Sequence, residues 1–503
     1  MEPLLPLSIE LSSQGPRLRE LHRQLRTAII DGRLRPGLRL PSTRTLARVC
    51  GIGRNTAVAA YDLLQSEGYI SSKRGSGTLV STTLPKSLRR SVATPRSVKD
   101  GRLAASWRGK ADPPWRLDFI PTRFSFALGV PDLKRFPVDA WRRASNKVLR
   151  SMRAPGIIGW ESQGRAAFRQ SIAHYVSFAR AVACNPDDIV VTAGAQQAFG
   201  LLARVLVPSA RSSVAVEDPG YPPIRAAFAA AGARIVGVPV DDSGLLTHRL
   251  PRNARVICVT PSHQFPLGCV MSTERRARLI EFAQTRGAVV IEDDYDGEFR
   301  FTDRPLDALQ TLDQSECVFY VGTFSKSLSP ALRLGYIVAP PWARSALAAA
   351  KRLADTECCT LTQDTLNILI RDGHLARHVR QLQHEYQQRR SILLEILHRD
   401  FAQWLDPVAS AAGLHVAALL KSPFDEGSLI AEAFKAGVGL TALSKFAIRA
   451  EYRGVIFGYG NTEIPDIVEG LAHLRNTWAS YASRKRKHLI KSSSRRAPID
   501  GRR

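Results

Sequence analysis

The chain has 503 residues, more than one ordinary domain uses, so two or three domains are expected. Lys and Arg exceed Asp and Glu by 26, which favours a polyanionic partner such as DNA. Seven cysteines without CxxC or Cys/His spacing argue against a disulfide framework or a metal site. No apolar run reaches the roughly 18 residues of a membrane span, and the start lacks a signal-peptide pattern, so a cytoplasmic protein is expected.

From Pro16 to Gly32, Leu18, Leu21, Leu25, Ala28 and Ile29 recur on one helical face, predicting a first helix that Gly32 ends. Ser42 or Thr43 can cap a second helix through Val49. The turn Gly51-Ile52-Gly53 follows, and Asn55 to Glu67 reads as a third helix with Val58, Tyr61 and Leu64 turned inward. The segments YISSKR and GTLVS flank Gly75-Ser76-Gly77 and predict a β-hairpin wing. This helix, helix, helix, wing unit spans 15–83. A Pro-, Ser- and Arg-rich stretch without apolar period reads as a basic flexible linker over 84–118. Over 119–480, apolar β-branched runs such as DIVVTAG, SSVAVEDPG, ARVICVTPSH, GAVVIEDDY and CVFYVGTFSK alternate with helical stretches. The pattern predicts an α/β body with a mostly parallel sheet, helices on both faces, and a ligand site at the strands' carboxyl ends. The basic run over 481–503 reads as a disordered tail.

The run GLRLPSTRTLARVCGIGRNTAVAAYDLLQSEGYISSKRGSGTLV resembles the winged helix-turn-helix domain of the GntR family over its full length. The resemblance implies contacts to a double-stranded DNA operator from Arg44, from Arg54, Asn55 and Thr56, and from the wing tip at Gly75. Physical chemistry agrees, since a recognition helix presents its first turn to the major groove and Arg suits guanine edges.

The body carries a second set of motifs. YVGTFSKSLSPALRLGY resembles the Schiff-base segment of fold-type I aminotransferases. That implies pyridoxal 5'-phosphate as cofactor, Lys326 as its lysine, Arg333 as phosphate partner, and hydroxyls of Thr323 and Ser325 near the phosphate. In VVIEDDYDGEF, Asp293 resembles the carboxylate that meets the pyridine nitrogen, with Glu292 and Asp294 as rivals, and Tyr295 would reach the phenolic oxygen. At Gly194-Ala195-Gln196 a strand runs into a helix whose free N–H groups can cradle phosphate. Tyr221 matches the residue that stacks on the ring. In TPSHQFPLG, Phe265 occupies the Asn position of these aminotransferases, leaving His263 and Gln264 as polar substitutes.

A GntR-like head before an aminotransferase-like body is the arrangement of the MocR group of regulators, which the whole chain resembles. Two departures from aminotransferases bear on turnover: Ile456 stands where an Arg would clamp a substrate carboxylate, with Arg449 or Arg453 as loose alternatives, and Trp160 replaces a Tyr that reaches the neighbouring subunit's phosphate. The reading is a homodimeric regulator that senses pyridoxal phosphate or an amino compound. Its rivals are a working aminotransferase with a DNA-binding appendage and an architectural DNA-binding protein with an inert body.

Overall fold

Ser42 and Gly53 set the starts of the second and third helices of the head. The structure is a computed structural model that describes residues 17–73, 77–82, 122–152, 161–208, 212–301, 307–410, 412–421, 423–449 and 452–494. The chain divides into two units, 1–111 and 112–503. In the first, α1 (Arg17–Ile30) buries Leu21, Leu25, Ala28 and Ile29 along one face. α2 (Thr43–Val49) begins at Ser42, whose hydroxyl accepts the Thr45 N–H at 3.2 Å. α3 (Arg54–Ser66) begins at Gly53, which has no side chain to cap with. The inner face of α3 is Ala57, Ala60, Tyr61 and Leu64, while Val58, expected inward, is only half-buried. Tyr61 donates to the Pro41 carbonyl at 2.9 Å, and Arg26 of α1 donates to the Tyr69 hydroxyl at 3.0 Å. β1 (Ile70–Lys73) and β2 (Gly77–Val80) pair antiparallel with Ile70 opposite Val80. Gly75 at the wing tip lies outside the described residues, as do the linker expected over 84–118 and Trp160.

The second unit opens with β3 (Phe124–Ser125), α4 (Val138–Ser151) and α5 (Ala166–Arg180). Strands and helices then alternate: β4 (Ile189–Thr192), α6 (Ala195–Leu206), β5 (Ser213–Asp218), α7 (Pro222–Ala230), β6 (Arg234–Asp241), β7 (Gly244–Leu245), β8 (Ala254–Val259), α8 (Thr273–Arg286), β9 (Val289–Asp294), β10 (Val318–Thr323) and β11 (Gly335–Val338). They form one sheet in the order β4-β11-β10-β9-β8-β5-β6-β7. β10, β9, β8, β5 and β6 are parallel, and β11 is antiparallel to both β10 and β4. All residues of β4, β5, β10 and β11 are buried, as in sheets covered on both faces. Phe199, Leu202 and Phe228 of α6 and α7 pack on one side of the sheet with Leu347 of α9 (Arg344–Asp355), and Leu279 and Ala283 of α8 belong to a separate cluster with Val259 and Val290.

α10 (Thr360–Arg371) and α11 (His374–Asp400) lead to β12 (Leu405–Pro407), β13 (His415–Leu420), α12 (Glu426–Lys435), β14 (Val438–Gly439), β15 (Thr441–Ala442), β16 (Gly454–Gly458) and α13 (Ile464–Ser494). Here the sheet is antiparallel, in the order β12-β13-β16-β15. α13 carries its helical backbone to Ser494, past position 481 where a disordered tail was expected; Lys, Arg, Ala and Leu in that run are good helix formers. Among the described residues no helix is long and apolar enough to cross a membrane.

Candidate functional site

Parallel strands bring their carboxyl ends to one edge, and the loops after β5, β8, β9 and β10 meet there with the start of α6. They surround a cavity lined by Gly129, Ala195, Gln196, Tyr221, Phe265, Asp293, Tyr295, Asp296, Thr323, Ser325, Lys326, Pro330, Arg333, Leu414 and His415. Most of the residues expected from the sequence therefore converge.

One end of the cavity brings a guanidinium to the start of a helix. Gly194, at φ +78°, turns the chain from β4 into α6, and as N-cap it offers no side-chain acceptor to the helix's first N–H groups. Arg333 donates to the Ala193 carbonyl at 2.7 Å and lies so close to Gly194 that a Cβ there would fall 2.9 Å from its Nη2. Arg333 itself sits in the left-handed region at φ +50°. Beside it Thr323 donates to Ser325 Oγ at 3.0 Å.

Lys326, half-buried, donates from Nζ to the Gly129 carbonyl at 2.6 Å. Burial pushes its ammonium below the ordinary lysine value, while Asp296 and Asp293 pull it back up. The neutral amine that a nucleophilic lysine needs is thereby made more accessible.

The three acidic residues of β9 have separate environments, because alternate side chains leave a strand on opposite faces. Glu292 accepts the Leu309 and Gln310 N–H groups at 2.8 and 2.9 Å. Asp294 is paired with Arg180 of α5 at 2.6 Å and accepts the Tyr320 hydroxyl at 2.6 Å. Asp293 alone of the three lines the cavity, and its Oδ1 is buried without a hydrogen-bond partner. Burial, then Asp294 and Asp296, push its carboxyl well above the usual range. The alternatives left open by the sequence are thus separated by their partners.

His263 departs from expectation. It is buried behind the wall and does not line the cavity; its Nδ1 lies 2.8 Å from the Tyr295 hydroxyl and 2.9 Å from Asp296. Gln264 is likewise committed inward, donating to the Pro219 and Phe265 carbonyls at 2.9 and 2.6 Å. Phe265 is in the wall, edge-on to Tyr221 at 5.2 Å and to Tyr295 at 5.8 Å. Gly129, Asp296 and His415 line the cavity without having been read from the sequence. Asp296 was within reach, since it stands in the quoted run VVIEDDYDGEF; Gly129 and His415 belong to distant segments that only the fold brings near.

Ile456 is wholly buried on β16, opposite Ala417 and in a cluster with Phe265, Leu443 and Phe446. Arg449 and Arg453 are exposed and do not line the cavity.

In the head, Arg44 and Arg54 are exposed, and neither makes a hydrogen bond or ion pair among the described residues. Asn55 is exposed and Thr56 half-buried on the first turn of α3.

Residues 18–80 match the gntR family of bacterial regulatory proteins, and residues 124–481 match the class I and II aminotransferases. The probable rhizopine catabolism regulatory protein MocR of Rhizobium meliloti is 34% identical over 95% of this chain and 97% of its own length. The chain belongs to the MocR-type group of GntR-family transcription regulators. Another regulator similar to it is the HTH-type pyridoxine biosynthesis transcriptional regulator PdxR of Corynebacterium glutamicum, 32% identical over 88% of this chain and 91% of that one. The body of this MocR-type regulator has the aminotransferase fold. Kynurenine aminotransferase of Pyrococcus horikoshii aligns with a TM-score of 0.65 at 25% identity, covering 71% of this chain and 91% of that one. A multiple substrate aminotransferase of Thermococcus profundus aligns at 0.69 and 23%, covering 76% and 98%. The GntR-type head makes the regulator a DNA-binding protein.

Proposed function

We propose that this regulator senses pyridoxal 5'-phosphate: the body holds the cofactor, the head binds a double-stranded operator, and two chains act as a homodimer. The observation that carries the reading is Asp293, a buried carboxyl with an unpartnered oxygen, in the same cavity as a desolvated Lys326 and an anion cup at Arg333. These groups fit the cofactor's three functional ends. The phosphate would take Arg333, the α6 N-terminus at Gly194, Ala195 and Gln196, and the hydroxyls of Thr323 and Ser325. Tyr221 would lie against the ring, Tyr295 would reach its phenolic oxygen, and Asp293 would meet the ring nitrogen. Lys326 would be the covalent anchor. When bound, the cofactor supplies an electron-withdrawing ring and an aldehyde carbon that reacts with amines.

An amino acid entering this cavity would meet no arginine at Ile456, and Phe265 gives the ring no polar contact. Without a clamp the reacting amine is not aligned, so turnover should be slow or absent, and the cofactor itself is the signal. That regulation requires holo and apo protein to differ in operator affinity, because a ligand shifts an equilibrium only by differential binding. The test measures affinity for a footprinted operator with and without cofactor, and the holo spectrum after adding a panel of amino acids. A difference between apo and holo affinity with an unchanged spectrum is expected. Equal affinities together with rapid conversion of the bound cofactor by one amino acid would overturn the reading in favour of an enzyme or amino-acid sensor.

The head gives its own prediction. Arg54→Ala should lower operator affinity at fixed salt by roughly 1 to 3 kcal/mol, about fivefold to 150-fold, while the cofactor spectrum stays as in the wild type. Unchanged affinity would place the recognition surface elsewhere. Arg44, Asn55, Thr56 and the wing tip at Gly75 complete the proposed surface, and the two heads of a dimer would favour two half-sites.

A further inference from the structure

Phe265 makes one side of the cavity apolar where it meets Tyr221, Tyr295 and His415. His415 does not offer its Nε2–H there, because that group lies 3.0 Å from the Pro266 carbonyl. The hydroxyl of Tyr295 is therefore the polar group whose direction matters, and a buried polar chain stands behind it. His263 Nδ1 lies 2.8 Å from Tyr295 Oη and 2.9 and 3.1 Å from the two oxygens of Asp296, and its Nε2 lies 3.1 Å from Ser410 Oγ.

Ser410 Oγ lies 3.1 Å from both His263 Nε2 and the Ala412 carbonyl and accepts the Ala412 N–H at 3.4 Å, so it anchors the far side of the ring. Nδ1 faces the Asp296 carboxylate, which can only accept, so the Nδ1 proton is shared between Asp296 and Tyr295 Oη. Tyr295 Oη then meets an N–H and not a lone pair, which leaves the phenol's own proton to point into the cavity. Two glycines hold the ring in place. Gly268 and Gly413 both have φ +88°; a Cβ on Gly413 would fall 2.0 Å from His263 Cε1, and one on Gly268 would fall 2.8 Å from Ser410 Cβ.

We propose that His263, paired with Asp296, is a positioning residue that aims the Tyr295 phenol proton at the ring oxygen of the bound cofactor. The inference rests on the cofactor reading above and gives His263 no cofactor contact of its own. Burial, then Asp296, Asp293, Glu217 and Asp294, keep the Tyr295 phenol protonated; Lys326, His415, Tyr221 and Arg333 are the other titratable or charged groups lining the same cavity.

The test uses full-length protein loaded with pyridoxal 5'-phosphate and follows the visible absorbance band of the bound cofactor against pH. A donor to the ring oxygen stabilises the negative charge left when the bound chromophore gives up its proton, so losing the donor raises the midpoint. Tyr295→Phe should raise it by about one pH unit, a tenfold change, as expected for a hydrogen bond to a charged group. Asp296→Asn removes the carboxylate that fixes the Nδ1 proton, so a free Nδ1 lone pair can draw the phenol proton away from the cavity and raise the midpoint, while loss of the charge facing Lys326 lowers it. The Tyr295→Phe/Asp296→Asn double variant should therefore move by less than the sum of the two single shifts, because the positioning effect acts through one hydroxyl. Ser410→Ala, a smaller change in the same chain, should shift the midpoint less and in the same direction. Additive shifts in the double variant, or a wild-type midpoint in Ser410→Ala beside a shifted Tyr295→Phe, would overturn the proposal. A wild-type protein that develops no visible band would instead overturn the cofactor reading, and this inference with it.

Discussion

Replacing Lys326 by Ala is expected to abolish the visible band of protein loaded with pyridoxal 5'-phosphate, while cofactor still binds and dialyses away. The lysine reaches past Gly129, whose carbonyl takes its Nζ proton at 2.6 Å and whose own Cβ, if it had one, would fall 2.8 Å from Nζ. Removing the amine leaves Arg333, the α6 N-terminus and Asp293 in place, so the non-covalent part of the site survives. The two parts can be read separately: absorbance reports the covalent link, and equilibrium dialysis reports the phosphate and ring contacts. A band that persists in the Ala variant would mean that another lysine carries the cofactor.

The second large effect belongs to a residue outside the cavity. Arg180 and Asp294 are both buried, and Asp294 receives two guanidinium nitrogens at 2.6 and 3.2 Å together with the Tyr320 hydroxyl. Arg180→Met would leave Asp294 as a buried charge without its cation, which typically costs about 3 to 5 kcal/mol. All seven tryptophans lie beyond residue 100, so the urea midpoint followed by tryptophan emission reports the body and not the head. A clear fall is expected, with part of it recovered when Asp294→Leu is added, since an apolar pair no longer strands a charge. An unchanged midpoint would show that the pair contributes little.

These residues also mark how far the sequence could be read. Local patterns sufficed where chemistry is local: the capped helices and wing of the head, the apolar runs that became β4, β5, β8, β9 and β10, and the lysine segment after β10. Glu292, Asp293 and Asp294 could not be ranked, because their difference lies in partners from elsewhere; Arg180 is 114 residues from Asp294. His263 reads as a polar substitute for the missing Asn because Phe265 occupies the Asn position of the motif, yet Phe265 is in the wall and His263 is not. The peptide turns between them, and the imidazole is held from behind by Gly413 and Ser410, residues no local pattern connects to it. The helical backbone of the basic tail was missed for another reason: charge runs were read as solvated chain, whereas α13 already supplies the helical turns on which the run continues.

Arg333 shows what the anion cup asks of the chain. At φ +50° its backbone is one that a glycine adopts freely and that costs a residue with a Cβ on the order of 1 kcal/mol. An arginine held there is held against local preference, by the short 3₁₀ turn before it and by its bond to the Ala193 carbonyl. Conformational ease and anion affinity therefore pull in opposite directions at this one position. Any drift toward a more relaxed turn would come at the expense of the charge at the proposed phosphate site.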